Sequence, residues 1–264
     1  MNITEAKRVV IKVGTSTLTY ENGRLNLRRI EALVRVLSDM KNAGREVILV
    51  TSGAIGIGAG HLGLKERPRD TGGKQAAAAV GQLELMDTYS RHFSDYGHIT
   101  GQVLLTRDVV ENEVKKQNVI NTLSRLLEFG VIPIINENDT VATEELDDTF
   151  GENDTLSAMV AALAGADLLI MLSDIDGVYT ADPRTHPEAK LVPVITRIDD
   201  GLMAMAEGAG SRRGTGGMVT KLKAAKLAAD AGIPTVVMNG NDPERLYALL
   251  EGQAVGTRIE AQKP

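Results

Sequence analysis

Val9-Val10-Ile11-Lys12-Val13, followed at once by Gly14-Thr15-Ser16-Thr17, is a β-rich run that stops at a turn built from glycine and hydroxyl residues. The same grammar recurs along the chain. Strands are expected over residues 8–14, 46–51, 98–105, 131–136, 167–173 and 235–238, and segments with helical spacing of apolar residues lie between them. In the first such segment Ile30, Leu33, Val34, Leu37 and Met40 mark one face, with Asn26 placed to cap the helix and Gly44 to end it. Further helices are expected over residues 75–93, 117–129, 154–164, 218–231 and 243–251. Alternation of this kind is the pattern of an α/β fold with a mainly parallel sheet and helices on both faces.

The chain has 264 residues and no stretch that reads as a linker, so one α/β domain over residues 1–264 is expected. Aromatics make up only 3% of it, and the core therefore falls to Val, Ile, Leu, Ala and Met. A net charge of −6 and the scarcity of aromatic residues argue against a nucleic-acid partner. With no cysteine there are no disulfides, thiolate metal sites or cysteine nucleophiles, in keeping with a reducing compartment. The four histidines fall into no metal spacing. Neither a signal-type apolar run at the N-terminus nor a membrane-length run elsewhere is present, so a soluble, cytoplasmic chain is expected.

In open parallel sheets ligands collect beyond the carboxyl ends of the strands, so the residues that follow strands carry most of the information. Lys12 is costly in an apolar run unless its ammonium meets a partner or reaches water; it points either into a ligand crevice or out to solvent. Ser52 and Gly53 follow the second strand, where a hydroxyl and neighbouring N–H groups can receive a carboxylate. Asn136-Glu137-Asn138-Asp139 suits a turn as well as a pocket. Asn153 and Asp154 precede a helix and suit capping and the helix dipole as well as a ligand. Ser173-Asp174-Ile175-Asp176 could meet ribose hydroxyls or a hydrated magnesium ion.

Gly214-Thr215-Gly216-Gly217-Met218-Val219-Thr220-Lys221 opens an alanine-rich helix and reads as an anion-binding loop. Its glycines allow close backbone approach, the helix start presents unpaired N–H groups, and Lys221 adds a full charge. A formal G-x-G-x-x-G lies at Gly58-Ala59-Gly60-His61-Leu62-Gly63, but it starts about seven residues after the strand ends instead of at its end. Gly56, Gly58 and Gly60 are instead expected to permit close helix packing. No P-loop is present, since Gly72-Gly73-Lys74 is followed by Gln75.

Taken in order, VVIKVGTSTL, TSGAIGIG, KQAAAAVGQ, GQVLLTRD, INENDTV, FGENDTLSA, SDIDGVYTADPR and GTGGMVTKLKAA span nearly the whole chain. Together they resemble the amino acid kinase family, and within it the branch that phosphorylates the γ-carboxylate of L-glutamate with ATP at the start of proline biosynthesis. The resemblance implies a three-layer αβα sandwich around an eight-stranded, mainly parallel sheet. Glutamate would be bound mainly by the N-terminal part and ATP mainly by the C-terminal part. It implies Lys12 and Lys221 as the lysines that embrace the transferred phosphoryl group, with Asp154 orienting both. Ser52, Gly53, Asn136, Asp139 and Asn153 match substrate-binding positions. Lys12, Ser173, Asp174, Thr215, Gly216, Gly217, Met218, Val219, Thr220 and Lys221 match nucleotide-binding ones.

Magnesium would be held mainly by the ATP phosphates, with no protein ligand assigned. Partners implied are proline as a feedback inhibitor, a glutamyl phosphate reductase that receives the product, and further copies of the chain in a homo-oligomer. Two departures from the family pattern stand out. The chain is expected to be a short form without the RNA-modification-type (PUA-type) C-terminal domain of many members, and Glu152 and Ser173 replace Asp and Thr. Alternative readings are a kinase of another small carboxylate such as acetylglutamate, a non-catalytic nucleotide-binding module, and a dinucleotide-dependent oxidoreductase.

Overall fold

β1 (Arg8–Val13) lies in the interior of a sheet, with all residues after Arg8 buried, and it is paired on both sides. The computed structural model describes residues 3–20, 22–106, 108–141, 153–208 and 217–262. The remaining strands are β2 (Glu46–Val50), β3 (Thr100–Leu105), β4 (Ile132–Glu137), β5 (Leu168–Ser173), β6 (Val194–Ile195), β7 (Thr235–Asn239) and β8 (Thr257–Ile259). They form one eight-stranded sheet in the order β3-β4-β2-β1-β5-β7-β8-β6. Neighbours run parallel except for β7 and β8, which are antiparallel.

The helices are α1 (Thr15–Leu18), α2 (Leu27–Asn42), α3 (Ala54–His61), α4 (Thr71–Asp95), α5 (Asp108–Glu111), α6 (Glu113–Glu128), α7 (Asn153–Ala164), α8 (Asp200–Gly208), α9 (Met218–Asp230) and α10 (Arg245–Leu250). Side-chain parity on β1 assigns them to layers, because successive residues of a strand point to opposite faces. Val9, Ile11 and Val13 join a core with Leu33 and Leu37 of α2, Tyr89 and Phe93 of α4, and Leu246 of α10. Val10 joins the opposite core with Leu123 of α6, Val160 of α7 and Leu222 of α9. The result is the expected three-layer αβα sandwich. Lys12 shares the parity of Val10 and therefore points toward the layer that holds α7 and α9.

The six expected strands form. β6 and β8 escaped the sequence reading, since runs of two and three residues are too short to show a period. Asn26 caps α2 as expected, its side chain accepting from the Arg29 N–H. α3 and α4 approach closely, and here the expectation needs adjusting. A Cβ on Gly58 would fall 1.8 Å from the Ala77 carbonyl oxygen, and one on Gly81 would fall 1.9 Å from that of Ala54. Gly58 and Gly81 thus make the contact, whereas a Cβ on Gly60 would meet Gly23 and one on Gly56 would meet nothing within 4 Å among the described residues. The same geometry disposes of the dinucleotide motif, because Gly58 sits inside a helix packed on another helix and not at a strand-to-helix turn. Among the described residues no helix is long and apolar enough to cross a membrane.

Candidate active site

The carboxyl ends of the strands open into a cleft of about 940 Å³. Its centre is an ionic cluster built from three elements. Lys12 comes from β1, Asp154 from the first turn of α7 and Lys221 from the first turn of α9. Lys12 Nζ lies 2.6 Å from Asp154 Oδ1, and Lys221 Nζ lies 3.4 Å from Oδ2 of the same carboxylate. Thr220 Oγ1 is 3.1 Å from Asp154 Oδ2. All three charged side chains are buried, with Asp154 only 1% exposed. Burial pushes the Asp154 carboxyl up, but the two ammonium groups and the Thr220 hydroxyl outweigh it and hold the group below its ordinary value. Two cations against one anion leave a net positive charge, the condition for receiving a phosphoryl group.

Hydroxyl and glycine residues line the cleft beside this cluster. Ser52 Oγ donates to the Val13 carbonyl at 3.3 Å and lies 3.2 Å from Thr15 Oγ1. Gly53 adopts φ 101°, a left-handed conformation that glycine tolerates, and Thr15 crowds the position where a Cβ would stand.

On one side the cleft becomes acidic. Strand parity separates the residues there: Asn136 shares the face of Ile134, whereas Glu137 shares that of Ile135. Asn136 is buried behind the cleft, where its Nδ2 donates to Gln82 Oε1 of α4 at 2.7 Å. Its Oδ1 accepts from Asn153 Nδ2 at 3.3 Å. Glu137 and Asp139 line the cleft itself. Burial, aided by the nearby Asp139 charge, raises the Glu137 carboxyl to about 7. Burial also raises Asp139, and the Arg67 guanidinium on the facing rim offsets part of that.

The other side is bounded by the loop after β5. Ser173 is buried, with its Oγ 3.2 Å from Asp174 Oδ1, and both line the cleft. Asp176 is engaged elsewhere, accepting from Asn239 Nδ2 at 3.0 Å and Arg245 at 3.4 Å. Gly217 precedes α9 in extended conformation without a side-chain cap, so the helix start keeps backbone N–H groups available to an anion.

The expected residues Lys12, Ser52, Gly53, Asp139, Asn153, Asp154, Ser173, Asp174, Gly217, Met218 and Lys221 therefore meet along one cleft. Asn136 stands one layer behind it, Thr220 acts on Asp154, and Val219 packs against the core. Thr215 and Gly216 lie outside the described residues. The Asn153 side chain donates to Asn136, so a ligand-facing role is open to it besides capping. Sequence reasoning passed over Glu137, Arg67 and Gln82 as site residues. Glu137 and Gln82 were visible only inside longer motifs, and Arg67 carries no local signal because a charged residue in a loop is ordinary. Among the described residues no three His, Asp or Glu side chains converge on a metal-sized site.

A profile of the amino acid kinase family matches residues 7–239. A glutamate 5-kinase of Clostridium perfringens is 54% identical over 261 residues, covering 98% of this chain and 97% of that protein. One from Listeria monocytogenes is 52% identical over 264 residues, covering 99% and 96%. A longer glutamate 5-kinase from Moorella thermoacetica is 53% identical over 255 residues, covering 97% of this chain and 67% of that protein. Among solved structures, an isopentenyl phosphate kinase superposes with a TM-score of 0.64 at 18% identity, covering 96% of this chain and 99% of that one. A UMP kinase from Bacillus anthracis superposes with a TM-score of 0.64 at 18% identity, covering 98% and 97%. These two similarities concern the fold.

Proposed function

The chain belongs to the amino acid kinase family, and from that premise we propose that it transfers the γ-phosphoryl group of ATP to the γ-carboxylate of L-glutamate. The products are L-glutamyl 5-phosphate and ADP. The observation that carries the reading is the buried Lys12–Asp154–Lys221 cluster at the centre of a cleft with an acidic recess on one side.

The chemistry asks little of the protein beyond placement. A γ-carboxylate is ionised at neutral pH, so no general base is needed. One carboxylate oxygen attacks the γ-phosphorus, the new O–P bond forms as the bridging O–P bond breaks, and the electron pair leaves with ADP. Lys12 and Lys221 neutralise the charge that builds on the transferred group, and Asp154 holds both ammonium groups at fixed distance. Ser52 and the backbone around Gly53 receive substrate oxygens. Asp139 and Asn153 meet the α-ammonium, with Asn136 supporting Asn153. Ser173, Asp174 and the segment from Thr215 through Gly216, Gly217 and Met218 to Lys221 cradle the nucleotide. Magnesium, held mainly by the ATP phosphates, would neutralise part of their charge.

The proposal extends to partners. Proline carries the α-carboxylate and ammonium of glutamate but has no carboxylate to phosphorylate, so it fits the same recess as an inhibitor. An acyl phosphate hydrolyses readily, which favours transfer to a glutamyl phosphate reductase. A cytoplasmic homo-oligomer completes the reading. The test is a substrate panel with ATP, magnesium and hydroxylamine, which traps acyl phosphates as hydroxamates. L-glutamate should give hydroxamate while acetylglutamate and aspartate give little, and a preference for acetylglutamate would overturn the assignment.

A further inference from the structure

Three side-chain amides form a relay from α4 to the wall of the cleft. Asn153 Nδ2 donates to Asn136 Oδ1 at 3.3 Å, and Asn136 Nδ2 donates to Gln82 Oε1 at 2.7 Å. Gln82 and Asn136 are buried, and Asn153 lines the cleft. The relay leaves one polar atom over at each end, Gln82 Nε2 at the back and Asn153 Oδ1 at the front. Both are buried, and neither has a hydrogen-bond partner among the described residues. A buried amide oxygen without a partner is costly, and one on a residue that lines a ligand cleft marks where a ligand donor completes the bond.

Such a relay has two polarities. As observed, every amide donates toward Gln82, and Asn153 is left with a carbonyl oxygen to offer. With all three amides reversed, Asn153 would offer an N–H group instead. The first state suits an ammonium and the second a carboxylate, so the polarity decides which end of an amino acid is welcome. Gln82 is the acceptor on which the observed state terminates. Without it Asn136 loses its partner, and the orientation of both asparagines is no longer fixed.

We propose that Gln82 is a positioning residue that holds Asn136 and Asn153 in the polarity presenting Asn153 Oδ1 to the α-ammonium of the substrate. Asp139 supplies charge to that ammonium, while the relay supplies direction and helps separate free amino acids from analogues that lack the group. The inference rests on the glutamate reading of the cleft.

Two variants test it. Gln82→Met keeps the volume and removes the acceptor, whereas Gln82→Glu in its ionised form can only accept from Asn136 and so enforces the observed polarity. The assay is run at a pH where the profile of Gln82→Glu shows the carboxylate ionised. Gln82→Met should raise the glutamate KM about tenfold, the effect of losing one hydrogen bond, with kcat and the ATP KM nearly unchanged. Gln82→Glu should stay within about threefold of the parent, since its polarity is preserved. Glutarate, a five-carbon dicarboxylate without the ammonium, provides the control. Its inhibition constant should not respond to Gln82→Met.

Parallel weakening of glutamate and glutarate would overturn the proposal, because a loosened fold affects both. A parent-like glutamate KM in Gln82→Met would also overturn it. If Gln82→Met does not fold, Gln82→Glu decides alone: a parent-like KM supports the proposal, and a KM raised tenfold sinks it. Failure of the parent protein to phosphorylate glutamate would refute the functional reading before any variant is examined.

Discussion

The two sides of the cleft treat their carboxylates in opposite ways. At the lysine cluster Asp154 is 1% exposed, yet its carboxyl is held below the ordinary range because two ammonium groups contact it. In the acidic recess Glu137 and Asp139 are less deeply buried, yet both are pushed upward, with Arg67 offsetting the effect at Asp139. Burial alone does not set the charge state; the presence of a counter-ion does. The Lys12–Asp154–Lys221 cluster already pairs its carboxylate with cations, whereas Glu137 and Asp139 lack matching positive charge, which the proposed substrate ammonium would bring.

The comparison can be broken most sharply at Lys221. Lys221→Ala removes a cation needed as charge develops on the transferred group, and kcat should fall about 100- to 1000-fold, as for a lost oxyanion donor. The glutamate KM should change little. Steady-state kinetics on the folded variant decide the matter, and near-parental turnover would mean that the loop is structural.

Matched substitutions of the two acids come next. Asp154→Asn should mainly lower kcat and Asp139→Asn mainly raise the glutamate KM, and an exchange of these phenotypes would reverse their roles. The stability effects should also differ. Asp154→Asn leaves two buried ammonium groups without their anion, which costs about 3–5 kcal/mol, so its thermal midpoint should drop far more than that of Asp139→Asn.

Glu137 predicts a pH effect. A carboxyl raised from 4.5 to about 7 favours folding in its protonated form. Its contribution to stability is therefore fully present below the unfolded value and lost as pH rises through about 7. Ligand binding runs the other way, because ionised Glu137 attracts an ammonium. The glutamate KM should fall severalfold between about pH 6 and 8, whereas the ligand-free protein should lose stability mainly between pH 4.5 and about 7 and change little above that. Glu137→Gln should flatten both trends, and unchanged slopes in that variant would place the titration elsewhere.

The smallest effect concerns proline. At moderate excess it should raise the apparent glutamate KM a few fold without lowering the maximal rate, and Asp139→Asn should weaken inhibitor and substrate together. A fall in maximal rate at unchanged KM would rule out a shared recess. Changes in the loop from Asn136 to Glu145 are expected to alter proline and glutamate sensitivity together; residues 142–145 of it lie outside the described residues.

Much of the fold was legible because its signals are local. Continuous apolar runs mark β1, β2, β4 and β5, and helical spacing with Asn26 at its head marks α2. Other elements have no such signature. α3 is rich in glycine and shows no helical spacing of apolar residues; close helix packing was expected of it, but which glycine makes the contact, Gly58 against Ala77 and Gly81 of α4, appears only in the fold. β6 and β8 acquire strand geometry only from each other and from β7.

The site divides along the same line. From sequence alone, residue types at strand and helix ends singled out Lys12, Ser52, Asp154, Ser173 and Lys221 as candidates, with solvent-facing or capping readings still open for Lys12 and Asp154, and the resemblance supplied their expected roles. Tertiary structure decided what those residues do to one another. The parity of Lys12 toward the α7–α9 layer, the sharing of Asp154 between two ammonium groups, the elevation of Glu137 and the reach of Gln82 to Asn136 across 54 positions all depend on distance and dielectric. Those quantities exist only once the sheet has brought remote segments together.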